Sequence, residues 1–501
     1  MKFLGVIVVV FLAASASAAE TLDLTLQKAV ELALAKNFRI KVEAFNPKIA
    51  AARQMSASGK FDPTLEASYT YSRNEQELRT LSTNIDQPTV VPGGETPDLF
   101  ARTDGSEYDT SIAGLTPWGL TYDFGPSLNI DGDSRRDPGY TRYNTFFGLS
   151  LTQPLLKNFG TDVNLADIRI ARANRAISQW QLRQQVIDIV TETINVYSEL
   201  YFAEENVKVE KRSRELAAQL VADNSKRAEI GVMSPLDVMQ ARSDYAAREE
   251  RVIVAERAVY DNQNFLKALV TDEISRLLET RLAIVPPTLP NTEEPDRRRD
   301  YARAFELRPD YRQALLDIQK RNITVVFTRN QALPRLDLVG SFGVNGIDTE
   351  LASSFNRATG NGNRNLAWDA GAVFSVPLPN RTGMGNLDVS KLEALRALVD
   401  LKRLEQAILV EADNAAGQID TTRKRIEATR VAREFAQLTL DAAQARLASG
   451  TSTTFEVLQF QRDLAAAEVN EFRARADFIQ AVAEYARRTG STLERNRIIL
   501  D

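Results

Sequence analysis

Cysteine and histidine are both missing from this 501-residue chain. The first absence excludes disulfides, thiolate nucleophiles, cysteine metal sites and lipid attachment to an N-terminal cysteine, so a lipid anchor is not expected. The second removes the side chain that most often moves protons near neutral pH and commonly ligates metals. Carboxylates or a Ser-Lys pair can replace it, but no such constellation stands out. The chain therefore reads as a non-enzyme, with no catalytic residues, metal or cofactor expected. A basic block is missing too. The net charge is −5, and no Lys/Arg-rich run is available to neutralise phosphates, which argues against a nucleic-acid partner. Long apolar runs are the last absence. The stretch 3–14 falls well short of the ~20 residues a membrane-spanning helix needs. With Lys2 before it and Ala16-Ser17-Ala18 after it, residues 1–19 have the pattern of a secretory signal peptide. No later run could cross a bilayer as a helix, so membrane insertion would have to be by strands.

What is present is a repeat. RLASGTSTTFEVLQFQRDLAA (446–466) matches RAEIGVMSPLDVMQARSDYAA (227–247) at a shift of 219 residues. LALAKNFRI (32–40) matches RAFELRPDY (303–311), and FDPTLEASYTY (61–71) matches ALPRLDLVGSF (332–342), both at a shift of 271. Pro154 of SLTQPLL (150–156) matches Pro377 of FSVPLPN (374–380) at 223. Four segments in the same order imply a tandem duplication, residues 20–290 and 291–501, with the boundary near the Pro-rich VPPTLPNTEEPD (285–296). The first half carries about 48 extra residues between Pro63 and Pro154.

Each half contains two segments of alternating polarity. Leu65, Ala67, Tyr69 and Tyr71 alternate with polar neighbours, as do Tyr143, Phe147, Leu149 and Leu151. In the second half, Leu336, Leu338, Phe342 and Val344 form one such set, and Trp368, Ala370, Ala372 and Phe374 another. Runs of about 10 residues suit tilted strands crossing a bilayer, although a half-buried soluble sheet alternates in the same way. Residues 162–229 and 388–449 read as long helices, each about 100 Å at 1.5 Å per residue and so coiled-coil-like rods. Shorter helices are expected over 236–270 and 455–488, and before the first strands over 26–59 and 301–329.

The repeated 219-shift segment reads as a tight reversal between antiparallel helices. Gly231 and Gly450 are placed to end the long helices in the left-handed conformation, and Ser234 and Thr453 to cap the next ones. Asp237 and Glu456 fall three residues on, completing capping boxes. Capping accounts for both acids. A second role is also open, as acidic rings around a pore entrance, with Asp244 and Asp463 seven residues on and near the same face.

Signal peptide, duplicated halves, paired strands, long helices and two G-x-x-[ST]-x-x-[DE]-V turns together resemble the TolC-like outer-membrane channels of efflux and type I secretion. LTLQKAVELALAKN (24–37) and QPLLKNFG (153–160) are further local matches. The resemblance implies an α+β fold: a transmembrane barrel of four strands per protomer, twelve-stranded in a homotrimer, continuous with a helical periplasmic barrel. It implies outer-membrane lipid around the strands. It also implies a periplasmic adaptor and an inner-membrane transporter as partners. Family members often carry an acid ring in a D-V-x-D pattern at the second turn. Here Glu456 matches the first acid and Gln459 replaces the second. The excess residues, about 73–142, are expected to project above the membrane, with 110–130 a hairpin around Pro117-Trp118-Gly119; added barrel strands are the open alternative. Asp131, Asp133 and Asp137 there read as an exposed acidic loop or a cation site. A reading of another class is a soluble periplasmic coiled-coil adaptor or scaffold, which explains export and helices but not the alternating strands.

Overall fold

The computed structural model describes residues 21–77, 100–133, 141–273, 281–290, 295–360 and 365–499; the expected signal peptide lies outside them. The chain forms two compact units, each drawn from both sides of the Pro-rich stretch. Ile49–Arg175 and Leu316–Val399 make a unit built on a sheet. Met1–Lys48, Ala176–Leu315 and Asp400–Asp501 make a helical one.

Eight strands are described: β1 (Thr21–Leu24), β2 (Thr64–Glu77), β3 (Phe100–Leu115), β4 (Thr121–Asp133), β5 (Thr141–Pro154), β6 (Arg281–Ile284), β7 (Arg335–Asp348) and β8 (Leu366–Ser375). The sheet unit has the order β2-β3-β4-β5-β7-β8, antiparallel throughout. Six strands replace the four expected. The difference lies in the excess segment: the hairpin expected over 110–130 forms as β3 and β4, and both strands lie within the sheet, as the open alternative of added strands had it. Alternation explains it: Tyr108 and Ile112 alternate with Glu107, Asp109 and Ser111, while Tyr122, Phe124, Leu128 and Ile130 alternate with Asp123, Ser127, Asn129 and Asp131. A pattern of period two suits a pleated strand with unlike faces. The second half has no counterpart to this hairpin, which is why a repeat-based count stops at four.

The helical unit has a hydrophobic centre where Leu24, Ile189, Tyr197, Leu200 and Leu266 pack together beside the parallel pair β1–β6. The helices expected over 26–59 and 301–329 are each broken. Asn37 leaves helical geometry, accepts from Arg39 N at 2.9 Å and donates to Leu269 O at 3.2 Å. Pro309 forces a second break at Arg308. The long helices run Ala166–Glu229, 64 residues, and Arg381–Ala448, 68 residues.

Tyr197 ties the first long helix to β1 and to the chain leaving β6. Its fully buried hydroxyl lies 2.8 Å from Leu24 O and 2.6 Å from Val285 O. Burial pushes the hydroxyl up to about 12 from 10.0, the bond to Val285 opposing it and Glu204 adding to it. A raised folded value means full stabilisation below pH ~10, lost as pH climbs through about 12. Tyr197→Phe is expected to cost about 1 kcal/mol at neutral pH, because the hydroxyl bond is lost while Leu24 O keeps its bond from Val285 N at 3.1 Å. The gap between wild type and variant in thermal unfolding should then close between pH 10 and about 12.

Candidate functional site

Two parts of the molecule could serve transport: the outer face of the sheet, in one unit, and the paired turns, in the other. Register fixes the first. Leu65 pairs with Ile112, Ile112 with Phe124, Phe124 with Leu149, Leu149 with Phe342, and Phe342 with Trp368. One apolar row thus crosses all six strands, including the inserted pair. Tyr69 stacks on Tyr108 at 4.6 Å, and Phe124 meets Phe147 edge-on at 5.0 Å, on the same face. Leu65, Ile112, Phe124, Phe342 and Trp368 stay exposed in the single chain. Water contact forgoes about 1.5–3 kcal/mol for each such side chain, so the row demands an apolar surround. The opposite face carries Ser68, Asp109, Ser111, Asp123, Ser150, Ser341 and Asp369. Ser111 donates to Asp123 at 2.9 Å, and Ser341 donates to Asp369. Asp131 lies 3.6 Å from Arg142, Asp137 falls outside the described residues, and among those described no acidic cluster could hold a metal ion.

The two turns share one geometry. Gly231 and Gly450 both sit at φ 77°. Val232 N bonds Arg227 O at 2.9 Å and Gly231 N bonds Ala228 O at 3.0 Å; Thr451 N bonds Arg446 O at 2.9 Å and Gly450 N bonds Leu447 O at 3.2 Å. These are Schellman closures, which give the last carbonyls donors. Ser234 Oγ then accepts from Leu236 N at 3.2 Å and Thr453 Oγ1 from Glu456 N at 3.2 Å, starting the helices Pro235–Val270 and Thr454–Arg488. No atom lies within 4 Å of a Cβ added at Gly450, so Gly450→Ala should cost only the backbone strain, about 1–2 kcal/mol. Gly417→Ala, inside the second long helix and equally unobstructed, should instead stabilise by about 0.5–1 kcal/mol. Hydrogen exchange around 446–456 and 413–421 would register the opposite signs.

The acids divide into different roles. Asp237 is half-buried in the first turn of its helix and makes no ion pair among the described residues. Glu456 does not reach back to its cap; Ser452 Oγ donates to it at 2.6 Å and Arg446 at 3.3 Å. Gln459 is exposed and donates to exposed Asp463 at 3.1 Å. Asp244 departs from the expected open carboxylate. Its side chain is 3% exposed, pairing with Arg248 Nε at 2.6 Å and with Arg462 at 2.9 and 2.6 Å. Arg248 also donates to Ser213 O and Oγ, each at 2.9 Å. Burial lowers the Arg248 pKa, while Asp244 opposes that shift. A chain of polar contacts therefore joins the first long helix, the first tip helix and the second tip helix. Leu220, Leu440, Val457, Leu458 and Leu464, from both long helices and the second tip helix, form an apolar cluster. Arg248 was legible as an i,i+4 partner of Asp244; Arg462, 218 residues away, left no local signal.

The family model for outer membrane efflux proteins matches residues 121–271 and 301–491. A probable efflux pump outer membrane protein, TtgC of Pseudomonas putida, is 22% identical over 443 residues, 84% of this chain and 81% of its own. The outer membrane protein TolC of Vibrio cholerae is 22% identical over 330 residues, 65% of this chain and 72% of its own. The crystal structure of the Campylobacter jejuni CmeC outer membrane channel superposes with a TM-score of 0.68 at 17% identity, covering 93% of this chain and 86% of that one, which establishes the shared fold.

Proposed function

Because this chain belongs to the outer membrane efflux protein family, we propose that it is the outer-membrane channel of a tripartite efflux pump or type I secretion system. In this role it works as a homotrimer, conducting substrates passively from a periplasmic adaptor and inner-membrane transporter to the outside. The observation that carries this is the apolar row across a sheet whose end strands, β2 and β8, each have one unpaired side among the described residues. Unpaired edges are not tolerated in lipid, and six strands are too few to enclose a lumen alone. Closure against other copies answers both. Strand directions alternate and the number is even, so β8 of one copy meets β2 of the next antiparallel. The name TtgC carries, an efflux pump component, supports the assignment of pump partners.

The paired turns are the entrance in this reading, with Asp237 and Glu456 supplying negative charge and the Asp244–Arg462 pair holding the tips together until a partner separates them. Conductance of reconstituted trimers tests the acids. Asp237→Asn with Glu456→Gln should weaken cation preference by severalfold; an unchanged current and selectivity would remove the acidic entrance. The soluble-adaptor reading predicts extraction by urea, whereas the channel should pellet with outer membranes and resist it.

A further inference from the structure

We infer that the inserted hairpin, residues 100–133, is wall of the exit barrel, so that a trimer closes on eighteen strands around a wider duct than twelve would give. This rests on the reading that the sheet crosses the outer membrane, and it adds the number of strands in the wall.

Three observations place the hairpin in the wall. Its register is continuous on both sides: β3 pairs with β2 from Thr64↔Ala113 to Glu77↔Phe100, and β4 pairs with β5 from Thr121↔Thr152 to Gly132↔Thr141. The inserted strands therefore stand between β2 and β5 along their length, and β2 has no direct bond to β5. Its faces match those of its neighbours, since Ile112 and Phe124 extend the apolar row and Asp109 and Asp123 extend the polar face. Its turn is anchored where β5 leads into the first long helix. Gly160 N bonds Trp118 O at 3.1 Å, and a Cβ at Gly119, which sits at φ 102°, would come within 2.4 Å of Asn158 O. A hairpin projecting from the cell surface would have its turn at the opposite end of the strands, in water.

Size follows from closure. Strands about 4.8 Å apart and tilted about 40° give a backbone diameter of about 24 Å for twelve strands and about 36 Å for eighteen. With roughly 5 Å of side chain on each wall, the clear width rises from about 14 Å to about 26 Å. Two strands per chain is also the smallest insertion that preserves antiparallel closure between copies.

The absence of native cysteine makes the test direct, because each engineered thiol is the only one in the chain. Single variants Tyr108→Cys, Ile112→Cys, Phe124→Cys and Leu128→Cys should resist a water-soluble maleimide in intact outer membranes. Glu107→Cys, Asp109→Cys, Asp123→Cys and Ser127→Cys should react at least tenfold faster. Phe147→Cys against Ser150→Cys, and Leu338→Cys against Ser341→Cys, serve as controls on β5 and β7. If the controls alternate while all eight hairpin thiols react alike, the hairpin is external and this inference is overturned while the channel reading stands. If the controls fail to alternate, the channel reading falls with it. An axial strand count by electron cryo-microscopy of the trimer gives an independent decision: eighteen is expected, and twelve overturns the inference.

Discussion

Asp244→Ala is expected to destabilise the helical unit by about 3–5 kcal/mol, because it strips the counter-charge from Arg248, whose side chain is 1% exposed. Ser213 remains as an acceptor but carries no charge, and Arg462 becomes a like-charged neighbour with nothing between. Arg462→Met is the informative comparison. Its side chain is 46% exposed, and Asp244 would keep its buried bond to Arg248. That variant should lose about 1 kcal/mol or less in unfolding, yet still lose the tie between the two tip helices. Thermal unfolding of the detergent-solubilised protein would separate the two variants, whereas under the proposed channel reading closed-state conductance should rise in both. If Asp244→Ala unfolds like wild type, the polar chain is not a structural element. If Arg462→Met leaves the closed-state current unchanged, the pair does not hold the tips.

Gly125→Val carries the second large expected effect. A Cβ there would lie 2.0 Å from Thr110 O and 2.6 Å from Ser111 Cα, both backbone atoms of the adjacent β3. No rotamer change relieves a clash with backbone, so the strands must part and surrender ladder bonds. The yield of the proposed trimer, read as a heat-resistant species, should fall at least tenfold, equivalent to about 1.4 kcal/mol. Gly132→Val, on the same strand with only Asp104 O at 3.8 Å, should assemble normally. Equal yields from the two variants would mean that β3 and β4 are not paired in the assembled protein.

The legible features were those whose causes lie within a few residues. The turns at Gly231 and Gly450 were readable because a left-handed residue followed three positions later by a capping hydroxyl is a local arrangement, and both Schellman closures form there. The four strands shared by the halves were readable from alternation. The same alternation ran through residues 107–112 and 122–131, but a segment without a counterpart in the second half invited the reading of a hairpin projecting beyond the sheet. The break at Arg308 was readable from Pro309, while the break at Asn37 needed Leu269 as a side-chain partner. Among the acids, Asp244 and Asp463 occupy matching positions in the repeat, and nothing local distinguishes them. Their surroundings do: Arg462 stands where the first half has Ser243, and Arg248 where the second has Ala467.

By itself the sequence determined the absence of thiol and imidazole chemistry, the periods of strand and rod, and the two capped reversals, because composition, periodicity and capping act over one or two turns of chain. Only the tertiary structure decided that six strands share one sheet and that Asp244 is buried between two arginines while Asp463 faces solvent. Strand neighbours and burial are set by contacts that can span more than two hundred residues, where the energy depends on what lies opposite and no stretch of sequence carries that information alone.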